Sequence, residues 1–572
     1  MNLSKYSRLA FLGIQSVCSL VWLWSLLPTD SYFSVYLVIA VLGNVCLYLN
    51  TRHVFTQQKW HNLLTLLFCC LLSAASVLAN HSIFWHLSRP LLLLSFLGGV
   101  FSFRNILLYF FRQFPRNPAP QENKRLSPCA VFFGSLSLIV LVDLLHLFLI
   151  DYPGTLTPDS MSQMMQLTTG VYSNHHPVWH TYVIKFWVEL GYSLFGNYNA
   201  AAALYHVWQV FFMASCFSYA IVTLYQVGIP NRLILLTYIS YLIMPYHIAY
   251  SVTMWKDVVF AGAVLLFVTA FYRIFKKLGK NNALNYIIFT VAGIGFGVWR
   301  SNGWLALLAS FVLSCFFLMK TEKKLLLLWA AAIVTSWAMK GPCLASLDIP
   351  QPDLVESLSI PVQQTARAIQ EGGSLTEEER ELLEHIVDLE EVPDLYLSFI
   401  SDPIKNEIRS KDSAYFEEHI GEYLNLWINV GLRHPGAYVR AWLDQTKGFW
   451  NGGYDYEIIS VTNHRTFGNY FDLDQSIHET PLSKAVLGFF QDVSRAPVSQ
   501  IFFSIGLHVW ILAALFLFNL LQGSKETFLT IPVLMIIGTL LVATPVSYEF
   551  RYAYSVFTTL PLLIPVTLYQ KK

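Results

Sequence analysis

Pro177-Val-Trp-His-Thr-Tyr-Val-Ile-Lys185-Phe-Trp-Val-Glu189-Leu-Gly-Tyr-Ser-Leu-Phe195 is apolar enough to resemble a membrane span, and whether it crosses decides the topology of the whole chain. It carries Lys185 and Glu189 at i and i+4, together with Trp179, His180 and Trp187, a mixture suited to a helix lying in the membrane interface. Lys and Arg gather on the cytoplasmic side of short membrane loops. Here they cluster at Arg52 and Lys59, at Arg112 to Arg125, at Arg232, at Arg273 to Lys280, at Lys320 to Lys324, at Lys525, and at Lys571 and Lys572. With the N-terminus inside, all of these clusters share the cytoplasmic face only if 177–195 does not cross. If it crossed, Arg273, Lys276, Lys277 and Lys280 would lie outside. Residues 151–198 are therefore expected to form one external loop with two interfacial helices, Ser160 to Thr169 and Pro177 to Phe195, joined by a turn over Gly170 to His176.

The composition agrees with a membrane protein. Of 572 residues, 55% are hydrophobic and 13% charged, with mean hydropathy +0.48; soluble domains carry roughly 25% charged residues. Apolar stretches near the roughly 20 residues that cross a bilayer recur at about 9–27, 31–49, 62–79, 90–111, 129–150, 199–225, 232–250, 257–275, 283–299, 303–319, 324–340, 501–521, 527–545 and 552–569. That is about 14 spans in an all-α integral membrane protein. Lys5 and Arg8 before an apolar run resemble a signal peptide, but no small-residue cleavage site follows, so the run is expected to be the first membrane helix. Eight cysteines without a Cys-x-x-Cys or Cys/His cluster give neither a disulfide scaffold nor a zinc site.

Residues 342–500 turn polar and are long enough to form a domain. The chain thus divides into an N-terminal four-helix extension (1–128), a membrane core with its external loop (129–341), the polar domain (342–500) and C-terminal membrane helices (501–572). The net charge of +1 is a cancellation: 26 of the 36 acidic residues lie in 342–500 against 11 of the 37 basic ones, so that domain carries −15 and the rest +16. The total of +1 argues against a nucleic-acid partner. Helical spacing is expected around Ile360 to Ile369 and Leu375 to Val392, with a capping pattern in Ser374, Thr376 and Glu377 to Glu379.

Three constellations on the expected outer face carry chemistry. The loop Asp151-Tyr-Pro-Gly-Thr-Leu-Thr-Pro-Asp159-Ser places carboxylates at the membrane surface, where one can act as general base toward a hydroxyl; the bland alternative is that Asp159 caps the next helix. Tyr172-Ser-Asn-His175-His176-Pro-Val-Trp179 offers hydrogen-bonding imidazoles and a ring to stack on a sugar, against an ordinary interfacial aromatic belt. Lys256-Asp257, Arg300-Ser-Asn302 and Glu549-Phe-Arg551 break the positive-inside rule, and such costly charges mark function by default. Three cations would suit a lipid-linked phosphate; alternatively Lys256 pairs with Asp257 and Arg551 with Glu549, whereas Arg300 has no acid beside it. Asp143 and His146, one turn apart inside a span, leave a transporter open. Asp472-Leu-Asp474 makes a divalent cation the one candidate cofactor, with no further calcium-loop ligands around it.

This arrangement resembles the GT-C class of polytopic glycosyltransferases, which use polyprenyl-phosphate-linked sugars. The resemblance rests on Pro158-Asp159-Ser160, Gly170-Val-Tyr172, His176-Pro177-Val-Trp179, Leu194-Phe-Gly-Asn197, Asp257 at the outer start of a later span, and Arg551-Tyr552 before Pro561. More closely, Tyr172 to Pro177, Ser359 to Arg367, Ser401-Asp-Pro-Ile-Lys405 and Glu549 to Tyr552 are similar to an uncharacterised family of bacterial multispanning proteins placed near that class. The resemblance covers roughly 129–572. It implies Asp159 as catalytic base, Asp151 as its supporting carboxylate, and Arg300 and Arg551 as binders of the lipid phosphate; Ser160 stands where the class often has a second acid. The expected partners are a polyprenyl-phosphate-linked sugar, membrane lipid and a cell-envelope glycan, lipid or protein acceptor. The expected place is the cell membrane, with both termini cytoplasmic and 342–500 outside. A polymerase or ligase of lipid-linked glycans, and a flippase for them, are the rival expectations.

Overall fold

The computed structural model of the chain describes residues 5–26, 42–49, 59–79, 88–113, 126–279, 283–452, 471–473, 480–495 and 500–569. Among them the secondary structure is helical, with three isolated β-bridges and no strand. Six helices are long and apolar enough to cross a bilayer: Lys59–Leu78, Arg89–Arg112, Pro128–Leu149, Tyr198–Val227, Lys256–Phe275 and Lys323–Ser346. Asn231–Ile243 and Pro245–Ser251 meet the same criterion only when taken together, with a bend of 52° where Pro245 follows Met244, the form of a broken span or a re-entrant loop. Ala10–Ser25, Ala283–Val298, Gly303–Leu318, Ile505–Leu521 and Thr527–Ala543 are shorter apolar helices. These are the helices of a multi-pass membrane protein. The expected stretch 31–49 is described only over 42–49.

The Val178–Phe195 helix is not among the six, and the hydrogen bonds show that it does not traverse the bundle. Tyr225 Oη donates to the Leu126 carbonyl at 2.8 Å and accepts from its N–H at 3.2 Å, so Pro128–Leu149 begins and Tyr198–Val227 ends at one end of the bundle. Residues 150–197 therefore leave and return at the other end. Lys276 pairs with Glu526 at 2.7 Å and Lys525 with Glu322 at 3.3 Å, which gathers three of the expected basic loops into one end. Lys340 Nζ donates to the Ser301 carbonyl at 2.8 Å, one further helix length away.

Lys256–Phe275 is the central helix, buried along almost its whole length by Tyr198–Val227, Ala283–Val298 and Phe550–Leu568. Lipid is as apolar as Leu, so close packing holds such helices together. Phe267 meets Phe289, Phe296 and Trp329 with ring centroids 4.4, 5.8 and 5.1 Å apart. In the N-terminal extension, Arg89–Gln113 packs closely on Lys5–Leu26 at Gly98, against the Cys18 carbonyl, and on Lys59–Ala79 at Gly99, against Ser73.

The polar region has its own core of Val355, Val362, Leu383, Ile386, Ile408, Phe416, Leu426 and Val430, among others. The first expected helical pattern is the helix Ser359–Gln370; the second, expected over Leu375 to Val392, is the shorter helix Glu377–Ile386, which ends where Val387 turns extended, with Val392 opening a separate turn, Val392–Leu395. The second opens with a reciprocal box: Thr376 accepts from Glu379 N–H and Glu379 from Thr376 N–H. Buried Lys405 binds Glu356 and Asp402, and Arg409 binds Asp353 and Glu356, which fixes the entry of the region to its core.

Candidate functional site

The site is built by registering the 151–160 loop against residues 252–256. Thr155 N–H donates to the Val252 carbonyl at 2.8 Å and Met254 N–H to the Thr155 carbonyl at 3.0 Å. Ser160 Oγ donates to the Met254 carbonyl at 2.6 Å, and Trp255 Nε1 to Thr157 Oγ1 at 2.7 Å. Thr157 is the N-cap of the helix Pro158–Thr169, with Pro158 at its first position and Ser160 closing the capping box. The helix thus begins two residues before the expected Ser160, and its partner is Val178–Phe195 rather than Pro177 to Phe195. Asp159 is not the cap, so its carboxylate serves other partners.

Those partners are cations. Asp159 Oδ2 lies 3.0 Å from Lys256 Nζ, 2.9 Å from Arg551 Nη1 and 3.9 Å from His176 Nδ1. Lys256 Nζ also donates to His176 Nδ1 at 3.0 Å. Arg551 donates from Nε to Glu549 at 3.2 Å and lies 4.9 Å over the Trp255 ring. Burial raises the Asp159 carboxyl, but Lys256 and Arg551 outweigh it and hold the group well below the ordinary carboxylate range. Burial and the Lys256 charge hold His176 down to about 3. It is a neutral imidazole whose Nδ1 accepts from Lys256, so its proton is on Nε2.

The expected local pair of Lys256 with Asp257 is not what forms. Neighbouring helical residues point about 100° apart, and Asp257 turns instead to Arg300 Nη1 at 2.8 Å. This corrects the expectation that Arg300 stands without an acid. The contact lies outside hydrogen-bonding geometry, and both Asp257 oxygens are buried without a donor. Arg300 also lies 4.5 Å over the Tyr552 ring and donates to the Tyr552 carbonyl at 3.3 Å. Tyr552 stands 5.4 Å from Arg551, so one ring joins the two cationic groups.

Asp151 is buried in the same loop, where Thr155 Oγ1 donates to its carboxylate. His175 is exposed and its ring meets His176 edge-on at 4.8 Å. Trp179 donates its indole N–H to the Met339 carbonyl at 3.0 Å, so it anchors the helix. Asn302 donates to Thr539 Oγ1 at 2.8 Å and ties the Arg300 turn to Thr527–Ala543. Of the expected residues, the structure brings together Asp159, His176, Lys256, Glu549 and Arg551, with Arg300 and Asp257 adjoining through Tyr552. Among the described residues, no group of three or more His, Cys, Asp or Glu is placed to hold a metal ion. Asp474 lies outside the described residues.

Sequence reasoning passed over a buried polar chain beneath the site. His180 bonds Gln163 through Nδ1 at 3.1 Å and Tyr205 through Nε2 at 2.8 Å; Tyr205 donates to Gln209 at 3.0 Å. Gln209 Nε2 faces the carbonyls of Tyr250, Ser251 and Thr253 at 3.1, 3.0 and 2.7 Å, closing the end of the broken helix that leads to Lys256. Tyr205 and Gln209, spaced i and i+4 inside an apolar run, were the available signal.

The segment before Glu549 is clamped by the polar region. Ser401 N–H donates to the Pro545 carbonyl at 2.9 Å, Gln445 to the Thr544 carbonyl at 2.8 Å and Ser547 N–H to the Phe399 carbonyl at 2.8 Å. Gly448 sits so close that a Cβ there would be 1.7 Å from the Ser547 carbonyl oxygen.

Fold and site thus define an all-helical, multi-pass membrane protein with a carboxylate and paired cations at one end of its bundle. The chain belongs to DUF6020, a family of unknown function whose model matches residues 164–572. That match takes in His176, Lys256, Arg300 and Arg551 and begins after Asp159. None of the curated proteins and none of the solved structures matches the chain.

Proposed function

We propose that the protein transfers a sugar from a polyprenyl-phosphate-linked donor to a hydroxyl of a cell-envelope glycan, lipid or protein, at the extracytoplasmic face of a bacterial cell membrane. The observation that supports this reading is Asp159 bracketed by Lys256 and Arg551, a carboxylate and two phosphate-binding groups sharing one point. In this reading the bent pair, the five shorter apolar helices, Phe550–Leu568 and the stretch at about 31–49 expected from the sequence also cross, which makes about 14 spans in a GT-C-like arrangement with both termini cytoplasmic. The acceptor hydroxyl attacks the anomeric carbon, Asp159 takes the hydroxyl proton, and the bond between that carbon and the phosphate oxygen breaks with its electron pair on the phosphate. Lys256 and Arg551 stabilise the charge that develops there, joined by Arg300.

The same geometry supplies a reason for order in the reaction. While both cations sit on Asp159 it is a weak base; a phosphate that draws them away restores its basicity at the moment an acceptor needs it. The test incubates purified protein with radiolabelled polyprenyl-phosphate sugars and envelope extract. Wild type is expected to transfer label, whereas Asp159→Asn and Arg300→Ala lose most of it. Equal turnover by wild type and Asp159→Asn removes Asp159 as base. Lipid translocation by both without sugar transfer turns the reading to a flippase.

A further inference from the structure

We propose that the helical hairpin Ile420–Arg433 and Pro435–Thr446 of the polar region rests its outward face on the lipid bilayer. Ile420–Arg433 carries charge only at Glu422 and Arg433. Its inner face, Tyr423, Leu426 and Val430, enters the core of the polar region. Its outer face would be charged on a helix that meets water, yet Ile428 and Leu432 project there at 49% and 77% exposure, with Leu424 one turn before them. The next helix continues the stripe with Val439, 56% exposed, and Leu443 at i+4. Arg433 and Arg440, the cations nearest the stripe, are paired with Glu379 and Glu371. The stripe is therefore an apolar edge flanked by exposed Glu422, Asn425 and Asn429, and it is too extended to be a scattered surface Leu.

Where the hairpin is attached identifies what covers it. Trp442 donates its indole N–H to the Leu541 carbonyl at 2.8 Å, and Gln445 donates to Thr544. Leu541 and Thr544 are the last turn and C-cap of the apolar helix Thr527–Ala543. Val542, on that last turn, is itself 71% exposed. The hairpin is thus attached at the level where an apolar helix with an exposed apolar side chain ends, the depth that tryptophan favours beside a membrane. An apolar face held in that plane enters the boundary between headgroups and acyl chains. This proposal is independent of the sugar-transfer reading.

The test places a fluorescent amino acid, dansylalanine, by amber suppression at Ile428, Leu432 or Val439 of the full chain, with exposed Glu384 as control. These side chains face outward, so the fold tolerates the probe. The protein is reconstituted in phosphatidylcholine and phosphatidylglycerol vesicles with and without acyl-brominated lipid. Quenching at the three stripe positions is expected to exceed that at Glu384 by at least about twofold, independent of protein-to-lipid ratio. Quenching at Leu432 no stronger than at Glu384 overturns the proposal. So does a blue shift that grows with protein density without lipid quenching, which assigns the stripe to a second copy of the chain.

Discussion

Asp159 Oδ2 meets Lys256 at 3.0 Å and Arg551 at 2.9 Å, and these two cations outweigh the burial that would otherwise raise its carboxyl. The free protein therefore keeps Asp159 ionised throughout the working pH range, and kcat/KM, which reports groups of the free enzyme, is expected to show no acid limb from it. Lys256→Met removes the nearer ammonium. Turnover should fall by about 10²–10³, the cost of losing one donor to a developing oxyanion, and an acid limb should enter the pH profile from below as the Asp159 carboxyl rises. The same profile in both proteins counts against the pairing as the source of control. The imidazoles give a second pH dependence with a definite sign. His176 and His180 are held down to about 3, each by burial first and the Lys256 charge second, against about 6.5 in an unfolded chain. As pH falls below 6.5 the unfolded state takes up protons that the folded one refuses. Stability is full above 6.5 and is lost progressively toward pH 3. Thermal unfolding in detergent between pH 7.5 and 4 is expected to show this slope, and His176→Gln to flatten it in part while His180 still contributes.

At the level of elements, the sequence already carried the two helices of the 151–198 loop, because the Lys and Arg clusters allow one connectivity there, and with Tyr225 bonding Leu126 that loop leaves and returns at one end of the bundle. Their edges were less legible. The Asp after Pro158 reads as a cap, but the reciprocal Thr157 and Ser160 box holds that role, and a hydroxyl that also accepts from Trp255, far along the chain, leaves no local trace. Adjacent charges misled in the same way: Lys256 and Asp257 look like a pair, yet the helix sends one to Asp159 and the other to Arg300. Contacts between residues about a hundred positions apart, such as Gly448 on Ser547, have no periodicity that a single sequence displays. Gly448→Ala tests that contact. Its Cβ would stand 1.7 Å from the Ser547 carbonyl oxygen, so the 544–548 segment must shift, and with it Glu549 and Arg551. The expected results are a stability loss of about 1–3 kcal/mol, typical of overpacking, and a larger fall in turnover than Thr157→Val, which removes a cap of about 1 kcal/mol. Equal effects on turnover at equal stability would show that the clamp does not position Arg551.

Across the whole molecule, opposite charge is sorted to opposite ends. Residues 342–500 carry the acidic excess, and they attach where the site lies: Ser401 bonds Pro545, Gln445 bonds Thr544 and Asn174 bonds Gln351 at 2.8 Å. Three of the basic loops meet at the other end through Lys276 with Glu526 and Lys525 with Glu322. Composition alone hid this division, because the two excesses cancel to +1. The helix Lys256–Phe275 spans the distance between them, 20 residues or roughly 30 Å at 1.5 Å per residue, the thickness of a hydrocarbon core. A bilayer around that helix must separate Lys277 from Glu384, whichever way the protein is inserted. Cysteines introduced singly at Lys277 and Glu384, compared with the unaltered chain and its eight native thiols, should therefore never both react with an impermeant maleimide in intact cells. The basic loops favour the cytoplasm, so Glu384→Cys is expected to label and Lys277→Cys to label only after the membrane is opened. Labelling of Lys277→Cys alone in intact cells reverses the orientation and moves Asp159 and its cations inside, where an extracytoplasmic acceptor is out of reach. Labelling of both removes the membrane from between the two ends and takes the span assignment of the central helix with it.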